Sequence, residues 1–436
     1  MMIKKVLLIL FLAFPVGAQP LLTLEEALKI GLKNNYDIQM ARNDAKIADN
    51  NKGIGLAGFL PTLDAAGGYA VIDNNQEVDL PSGETDTDID NWSAELTLSW
   101  TLFDGFSMFA NRDRYNELAR KGEYDARARI ENAVVNITDA YFSLVRQQQL
   151  LQSARELRDV SGTRLEREKV RHDIGGATST DLLNAQVSYN SDQTSLLNQE
   201  LQVTVARQQL NILLGREPST EFAVVEEIPL VNIDLTYDEI LDRALEYNSG
   251  LKSAELSRSI SRRQVQMARS AFLPRLSFFT NYEYTDQTTN SDAGAYPGLD
   301  IGTRTTSTTV GLNLTFNLFN GTQDKIDLQN ARIEANNREL ELRNARNQLT
   351  GQVREAYETY KKRMEIVAME EQNIVAARQN LQLQQDKFRV GSATSLEFRD
   401  AQVSLNQSQA SLIQARYQAR ISKLLLEQLM GALEVN

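Results

Sequence analysis

The chain has 436 residues, a formal net charge of −12, one histidine and no cysteine. The negative charge argues against nucleic-acid binding. The lack of cysteine excludes disulfides, so packing or oligomerisation must hold the fold together.

Residues 1–18 have the pattern of a secretory signal peptide. Two lysines precede an apolar run over 6–14, and small residues over 16–18 suit cleavage before Gln19. The run is too short for a spanning helix, which needs roughly 20 apolar residues, and no later stretch approaches that length. We therefore expect an exported chain that becomes more acidic once the signal lysines are removed.

The rest of the chain repeats itself once. The segment Thr23–Leu28 corresponds to residues 236–241 at an offset of 213, and Trp100–Gly105 corresponds to residues 316–321 at an offset of 216. A repeat this long indicates two copies of one large unit rather than a solenoid of small ones. The predicted parts are a first repeat over 19–215, an inter-repeat linker over 216–235, a second repeat over 236–431 and a C-terminal tail over 432–436.

Long proline-free tracts in both repeats predict helices. They are expected at 23–57, 105–172 and 179–214 in the first repeat, and at 237–272, 322–388 and 395–430 in the second. In the longest tracts, apolar residues recur at alternating steps of four and three: Ile130, Val134, Ile137, Tyr141 and Leu144, then Val353, Tyr357, Tyr360, Met364 and Val367. Such heptad seams pack helices side by side, and a helix over 105–172 would be about 100 Å long.

Between the helical tracts the apolar period changes to two, which predicts strands at 62–72, 92–102, 275–285 and 305–318. The residues expected to face lipid are Trp92, Leu96, Leu98 and Trp100 in the first repeat and Leu312, Leu314 and Phe316 in the second. About ten residues of apolar-out, polar-in alternation suit a transmembrane β-strand. Half-buried hairpins on a soluble domain are the alternative, but the signal peptide and the duplication favour a membrane barrel.

Four strands cannot close a barrel, and an open sheet edge is not tolerated in lipid. The chain must therefore oligomerise if its strands span a membrane. Two copies would give eight strands and a bore filled by side chains, whereas three would give twelve strands and an opening.

These motifs together resemble the TolC family of outer-membrane efflux proteins. The resemblance rests on the duplicated helix–hairpin–helix unit, on Phe-Leu-Pro before each first strand, on Leu-Phe-(Asp/Asn)-Gly after each second strand, and on the paired turns at 174–181 and 390–397. It implies a mixed α and β fold, with a trimeric twelve-stranded β-barrel in the outer membrane continued by a long α-helical coiled-coil barrel across the periplasm. It also implies an exit duct that works with a periplasmic adaptor and an inner-membrane pump or ABC exporter.

The two helical turns, called the tips below, are the candidate functional sites. The resemblance implies that the adaptor contacts them at Gly175, Ala177 and Thr178 in the first tip and at Gly391, Ala393 and Thr394 in the second. A glycine that ends one helix and a hydroxyl residue that caps the next are also what any helical hairpin needs; the candidate caps are Thr178 or Ser179 and Thr394 or Ser395. The same holds for Asp181 and Glu397, since a carboxylate in the first turn favours the positive end of the helix dipole.

The resemblance further implies a periplasmic gate formed by Asp181, Glu397 and Asp400. Threefold symmetry would place six carboxylates from the last two around a narrow entrance, which suits cation binding. Phe388 and Ala393 depart from the family pattern at positions that help to lock the gate, so Arg389 and Arg399 are candidate replacements.

No enzymatic, cofactor or metal site is predicted. His172 is isolated, and one histidine without cysteine or an acidic cluster makes no metal site. The competing class is a soluble periplasmic helical scaffold or adaptor without a pore, which would leave the apolar strands unexplained. The sequence leaves the cargo open among drugs, metal ions and polypeptides.

Overall fold

The computed structural model describes residues 21–77, 84–225, 227–230, 232–291, 298–390 and 392–433. The predicted signal peptide and Gly391 of the second tip lie outside these residues. So does the end of the predicted C-terminal tail.

Helices and strands follow the same order in both repeats. The first repeat contains β1 (Leu21–Leu22), α1 (Leu24–Asn34), α2 (Tyr36–Asn50), β2 (Thr62–Glu77), β3 (Glu84–Asp104), α3 (Ser107–Asp173) and α4 (Ser179–Leu213). The second contains α5 (Tyr237–Tyr247), α6 (Ser249–Ser270), β5 (Arg275–Ser291), β6 (Ile301–Thr315), α7 (Gln323–Arg389) and α8 (Ser395–Leu429), and a short strand β4 (Ala223–Val224) precedes it in the linker.

The long helices agree with the sequence prediction. Helices α3 and α7 have 67 residues each, and α4 and α8 have 35 each. The predicted heptad seam is buried: Ile137, Tyr141 and Leu144 of α3 lie in one apolar cluster with Leu196 and Leu210 of α4. Packing of this seam, rather than intrinsic helix propensity, stabilises helices of such length.

The first helix of each repeat is shorter than predicted, because it divides in two. Asn35 separates α1 from α2, where its side-chain oxygen accepts a hydrogen bond from the Ile38 N–H and its Nδ2 donates to the Leu213 carbonyl. Asn248 divides α5 from α6 in the same way and donates to the Leu429 carbonyl. Asparagine competes for backbone hydrogen bonds in this manner, which is why it favours helix ends over helix interiors.

The second helices of the two repeats also differ from each other. Helix α2 ends at Asn50, whereas α6 continues to Ser270. Gly53 and Gly55 follow the end of α2, and the corresponding residues of α6 are Gln266 and Ala268. Glycine costs up to about 1 kcal/mol relative to alanine in a helix, so the two glycines end the first-repeat helix early.

The strands are longer than predicted at their loop ends. The segments between the predicted strands, 73–91 and 286–304, contribute several residues to each strand, and they include the directly opposed pairs Asp73–Asp88 and Asp286–Arg304. Alternating hydrophobicity finds only the apolar band, because backbone pairing continues where both faces are polar. At the other end, β6 stops at Thr315, so Phe316 lies beyond the strand in which we predicted it.

The four long strands form one antiparallel sheet in the order β2-β3-β5-β6. Leu98 of β3 lies between Leu63 of β2 and Thr280 of β5, and Leu96 lies between Ala65 and Tyr282. Directly opposed residues point to the same face, so the alternating apolar residues of all four strands share one face. The register therefore creates one apolar and one polar surface.

The chain divides into two compact units that do not coincide with the repeats. One consists of residues 1–41, 127–248 and 349–436, and the other of residues 42–126 and 249–348, which include the sheet. In the first unit, β1 pairs in parallel with β4, and the Tyr141 hydroxyl donates to the Leu22 carbonyl at 3.0 Å. Among the described residues, no helix combines the length and apolarity needed to cross a membrane.

Candidate functional sites at the helix tips and on the sheet

The first tip is a tight turn between α3 and α4. Gly175 has a φ of +77°, a left-handed conformation that glycine adopts without steric cost. Its N–H donates to the His172 carbonyl, and the Gly176 N–H donates to the Arg171 carbonyl at 2.6 Å. These bonds satisfy carbonyls that the end of α3 leaves unpaired, as in other glycine-ended helices.

Asp181 forms a reciprocal cap with Thr178 at the start of α4. The Asp181 N–H donates to Thr178 Oγ1 at 3.2 Å, while the Thr178 hydroxyl and N–H both donate to Asp181 Oδ2, at 2.7 and 3.0 Å. This is a capping box, which pairs backbone donors that the first helical turn otherwise leaves free. The predicted gate residue of the first repeat is thus held in place by local chemistry.

Glu397 forms the same cap at the second tip. It accepts from the Thr394 N–H at 2.6 Å and from the Thr394 hydroxyl at 2.9 Å, and its own N–H donates back to Thr394 Oγ1 at 3.2 Å. Ser392 closes the preceding turn by donating its N–H to the Lys387 carbonyl at 2.9 Å. The geometry of both acids therefore agrees with a role in capping their helices.

The caps also fix the charge of these two acids. Hydrogen bonds from the Thr178 hydroxyl and N–H lower the pKa of Asp181, and those from the Thr394 N–H and hydroxyl lower the pKa of Glu397. Both carboxylates are exposed. Each tip therefore presents a fixed, ionised carboxylate to solvent at neutral pH.

The remaining predicted gate residues lie in different surroundings. Asp400 is exposed on α8, one turn beyond Glu397. Arg389 lies 3.2 Å from Asp386 of its own helix. Arg399 instead crosses from α8 to α4 and forms an ion pair with Asp192 at 2.7 Å.

The Arg399–Asp192 pair is buried: the two side chains are 13% and 6% exposed. Arg164 of α3 adds a second link between the repeats, because its Nε donates to Ser395 Oγ of α8 at 2.9 Å. Neither Arg164 nor Asp192 is among the residues predicted from the sequence. Asp192 could have been found from the sequence, because it and Arg399 are charged where the other repeat has the uncharged residues Ser408 and Leu183.

An open cleft of about 700 Å³ lies between α3 and the second tip. The Phe388 ring stacks on Phe398 with centroids 5.4 Å apart, and the Arg167 guanidinium lies over Phe388 at 5.7 Å. Glu168 is almost fully buried and lies 3.4 Å from Arg171. Ala393 also lines the cleft, so both positions that depart from the family pattern contribute to it.

The predicted membrane-facing residues lie on the apolar face of the sheet, apart from Phe316 beyond its end. Trp92 is 61% exposed and Leu312 is 65% exposed. On the opposite face, Glu95 Oε1 accepts hydrogen bonds from Thr97 Oγ1 at 2.9 Å and from Asn281 Nδ2 at 2.8 Å. Polar side chains are therefore hydrogen-bonded to one another on one face, while large apolar side chains such as Trp92 and Leu312 are exposed on the other.

Nothing in the described part of the chain assembles a metal centre: no three His, Asp or Glu side chains are grouped to hold an ion. His172 lies at the first tip, with Nε2 3.2 Å from Ser179 Oγ and Nδ1 3.8 Å from Asp173. These contacts belong to the turn itself.

Sequence comparison places both repeats in one family and bears out the resemblance. The profile of the outer membrane efflux protein family matches residues 27–216 and 240–432. The outer membrane protein TolC of Vibrio cholerae is 24% identical over 381 residues, which cover 86% of this chain and 83% of that protein. The alkaline protease secretion protein AprF of Pseudomonas aeruginosa is 22% identical and covers 92% of this chain and 84% of its own length.

Solved structures have the same fold. The CmeC outer membrane channel of Campylobacter jejuni aligns with a TM-score of 0.77 at 16% identity, covering 94% of this chain and 85% of that one. VceC of Vibrio cholerae, an outer membrane protein, aligns with a TM-score of 0.72 at 18% identity, covering 94% and 96%. With the family profile matching both halves, the chain belongs to the outer membrane efflux protein family.

Proposed function

We propose that three copies of this chain form the outer-membrane duct of an efflux or type I secretion system. The observation that carries the proposal is the sheet, which has one exposed apolar face, one polar face and, among the described residues, two edge strands that pair on one side only. An apolar face of this extent suits the hydrocarbon of a membrane, and a polar face suits a water-filled bore.

The two unpaired edges, β2 and β6, require other strands. Exposed edges invite pairing with another chain, and in lipid every backbone polar group must be paired. Copies of this chain supply matching edges, since β6 of one copy is free to pair with β2 of the next. Three copies give twelve strands, a number that leaves an opening wide enough to conduct.

Helix α4 supports the same assembly. Its outer side carries exposed apolar residues at coiled-coil spacing: Leu183, Val187, Leu197 and Leu201. An uncovered heptad seam calls for a second helix. A soluble scaffold, the alternative function, would leave both this seam and the sheet face in water, where large exposed apolar patches favour association.

We assign the two tips to the periplasmic end of the duct and to contact with an adaptor protein that joins it to an inner-membrane pump or exporter. AprF, one of the relatives, is named as a protease secretion protein, which fits a duct that works with an exporter. The adaptor-contacting residues in this proposal are Gly175, Ala177, Thr178, Gly391, Ala393 and Thr394.

We assign Glu397 and Asp400 to a ring of acids at the entrance, with Asp181 nearby. Both are exposed, and the cap on Glu397 keeps that carboxylate ionised. In a trimer they supply six negative charges in a confined space, where their fields add and attract cations. Arg399 acts as the lock within one chain, because it ties α8 to α4 through Asp192.

Assembly is tested by extracting the protein from membranes. We expect it in the outer-membrane fraction, soluble only with detergent, with the mass of three chains after correction for bound detergent. Mass photometry or light scattering measures that mass. A monodisperse monomer in detergent-free buffer would overturn the duct and favour the scaffold.

The gate is tested by separating charge from capping. Glu397→Gln with Asp400→Asn removes the charges, but glutamine still completes a capping box. Thr394→Ala is the matched control, because it breaks the cap and leaves both charges. In planar bilayers we expect block by a trivalent cation to weaken in the double variant and to persist in the control. Equal block in both variants would remove the two acids from the gate.

A further inference from the structure

A cleft of about 810 Å³ lies in the first compact unit, away from both tips. Its lining comes from helices α3, α4, α7 and α8 and from the short strand β4, and we call it the four-helix cleft. Cavities of roughly 300–1,000 Å³ are the size that holds small-molecule ligands. All of the lining residues belong to one chain, so the cleft is complete without a second copy.

The four-helix cleft opens where the apolar seam of α3 is interrupted. The seam runs through Tyr141, Leu144 and Leu151, but the position between the last two is Gln148, which lines the cleft. At the offset of 216 the other repeat has Met364 in its place. An amide in an apolar seam lowers packing and needs polar partners of its own. The cleft therefore coincides with a break in helix packing that the first repeat alone contains.

The buried part of the lining is apolar. It consists of Leu151 of α3, Val203 of α4, Val224 of β4 and Leu412 of α8, each less than a tenth exposed. We call these four residues the floor. An apolar group that packs against the floor leaves water, which favours binding. The floor therefore suits a ligand with an apolar body.

The polar part of the lining carries three arginines, Arg155 of α3, Arg207 of α4 and Arg416 of α8. Among the described residues that line the cleft, only Glu156 is acidic, and Gln152 Nε2 donates to its carboxylate at 2.9 Å. The lining is therefore positive, although the whole chain has a net charge of −12. A positive cleft raises the local concentration of anions.

The positive lining results from a charge reversal between the repeats. Arg155 of α3 lies 4.0 Å from Glu200 of α4, and Glu371 of α7 lies 2.8 Å from Arg416 of α8. These residues correspond at the offset of 216, arginine to glutamate and glutamate to arginine. Both arginines line the cleft and neither glutamate does. With the same polarity in both repeats, one of the two cleft arginines would be a glutamate.

Two of the arginines have donors without a partner. The Nε atoms of Arg207 and Arg416 are enclosed by protein, and neither has a hydrogen-bond partner among the described residues. A buried donor in this state costs free energy, because it has lost its hydrogen bonds to water. A guanidinium presents a fork of N–H groups that a carboxylate accepts with both oxygens. A bound carboxylate would therefore stabilise these side chains.

We infer that the four-helix cleft binds a small anionic amphiphile, a molecule with one carboxylate and an apolar body. The carboxylate lies among Arg155, Arg207 and Arg416, and the apolar body packs on the floor. A bare anion would leave the floor uncovered, and a neutral apolar molecule would leave the arginines without an acceptor. Because both helical hairpins line the cleft, the ligand connects them and stabilises the folded chain.

The two ends of the chain do not supply the anion. Residues 1–20 contain no Asp or Glu. At the other end, Arg127 Nη2 donates to the Gly431 carbonyl at 3.3 Å. Arg127 precedes Arg155 by about 42 Å along α3 at 1.5 Å per residue. The residues after Gly431, 432–436, span at most about 18 Å when extended, so the ligand is a separate molecule.

Three probes test the chemistry of the ligand: N-acetyl-leucyl-leucine, its C-terminal amide, and acetate. Calorimetry on the full-length protein in phosphatidylcholine nanodiscs measures their affinities, and empty nanodiscs correct for uptake by lipid. We expect the amide to bind about tenfold more weakly than the acid, because it makes no charge-assisted hydrogen bond. Acetate should also bind more weakly, because it lacks an apolar body. Equal affinities for acid and amide, or no binding of the acid at millimolar concentration, would overturn the inference.

A charge swap tests the location of the site. Glu371→Arg with Arg416→Glu keeps an ion pair between α7 and α8 but places a carboxylate in the cleft. The swap should weaken binding of N-acetyl-leucyl-leucine at least about tenfold and leave the unfolding temperature of the ligand-free protein close to its natural value. Unchanged affinity in the swapped protein would overturn the inference.

A second pair of variants does not depend on the swapped protein folding. Arg207→Gln removes a cleft cation, and Lys423→Gln removes its counterpart at the offset of 216, which does not line the cleft. Binding of the acid should weaken in Arg207→Gln alone. The acid, but not the amide, should raise the unfolding temperature of the natural protein and of Lys423→Gln. Equal loss of binding in both variants would indicate a general effect of net charge and overturn the site.

Discussion

The two repeats have corresponding residues where a helical hairpin must supply hydrogen bonds to its own backbone. Thr178–Asp181 and Thr394–Glu397 are the same capping box. Asn35 and Asn248, at the offset of 213, divide their helices and donate to the carbonyls of Leu213 and Leu429, which correspond at the offset of 216. The repeats share these hydrogen bonds because the backbone groups at every helix end need hydrogen-bond partners, whatever lies around the helix.

The repeats differ where each meets a different neighbour. Asp192 and Arg399 form a buried ion pair, whereas their counterparts Ser408 and Leu183 carry no charge. Duplication gives both repeats the same pair of positions, but only Asp192 and Arg399 form the ion pair. Residues that differ between the repeats therefore include those that form contacts within the chain, whereas residues that are the same in both repeats satisfy the hydrogen bonds of each helical hairpin.

The largest effect is expected from breaking the ion pair that exists only once. Arg399→Leu installs the residue of the other repeat and leaves Asp192 buried without its cation, which typically costs about 3–5 kcal/mol. Adding Asp192→Ser should recover most of the loss, since neither charge then remains buried. Urea unfolding followed by circular dichroism measures both. Equal stability of the single and double variants would contradict the assignment of this pair as an internal contact.

A smaller and symmetric effect is expected at the glycines that end α4 and α8. Gly215 and Gly431 have φ values of +63° and +64°, and an added Cβ would lie 2.6 Å from the Asn34 carbonyl oxygen and 2.7 Å from the Tyr247 carbonyl oxygen. Alanine at either position should cost more than about 1 kcal/mol, because both the backbone conformation and the contact oppose it.

Gly351 provides the control for these glycines. It lies within α7, and a Cβ there would meet nothing within 4 Å. Gly351→Ala should therefore stabilise the protein by up to about 1 kcal/mol. Thermal denaturation of the three variants tests the set, and a marked difference between Gly215→Ala and Gly431→Ala would break the equivalence of the repeats.

The smallest effect is expected at the caps. Thr178→Ala and Thr394→Ala should each cost about 1 kcal/mol, as is usual for the loss of a capping hydroxyl. Differential scanning fluorimetry measures both, and a loss confined to one tip would show that the caps are not equivalent.

The caps also predict a pH dependence. Because the pKa values of Asp181 and Glu397 are lowered in the fold, their contribution is fully present above the ordinary carboxyl pKa of about 4. It is lost as the pH falls through the lowered values. The two alanine variants should therefore lose less stability than the natural protein on acidification below pH 4. An identical acid response would argue that the caps do not hold these carboxylates.

Several features could be read from local sequence because their causes are local. The heptad steps predicted the buried seam at Ile137 and Leu144, and the period of two predicted which face of the sheet is apolar. The turn sequence predicted a cap at Thr178 or Ser179, and the structure has it at Thr178. Strand ends escaped prediction because backbone pairing continues through polar residues, and the helix breaks escaped because Asn35 acts through a distant carbonyl.

The sequence by itself determined the duplication, the lengths of the long helices, the presence of helix caps at the tips and the outer-membrane efflux family. These follow from spacing, turn chemistry and composition, which act over a few residues. Only the tertiary structure decided that Arg399 reaches Asp192, that the Tyr417 hydroxyl of α8 donates to Asp139 of α3, and that β3 pairs with β5 and leaves β2 and β6 at the edges of the sheet. Such contacts join residues far apart in the chain. They depend on which of several similar surfaces comes together, and local patterning does not specify that choice.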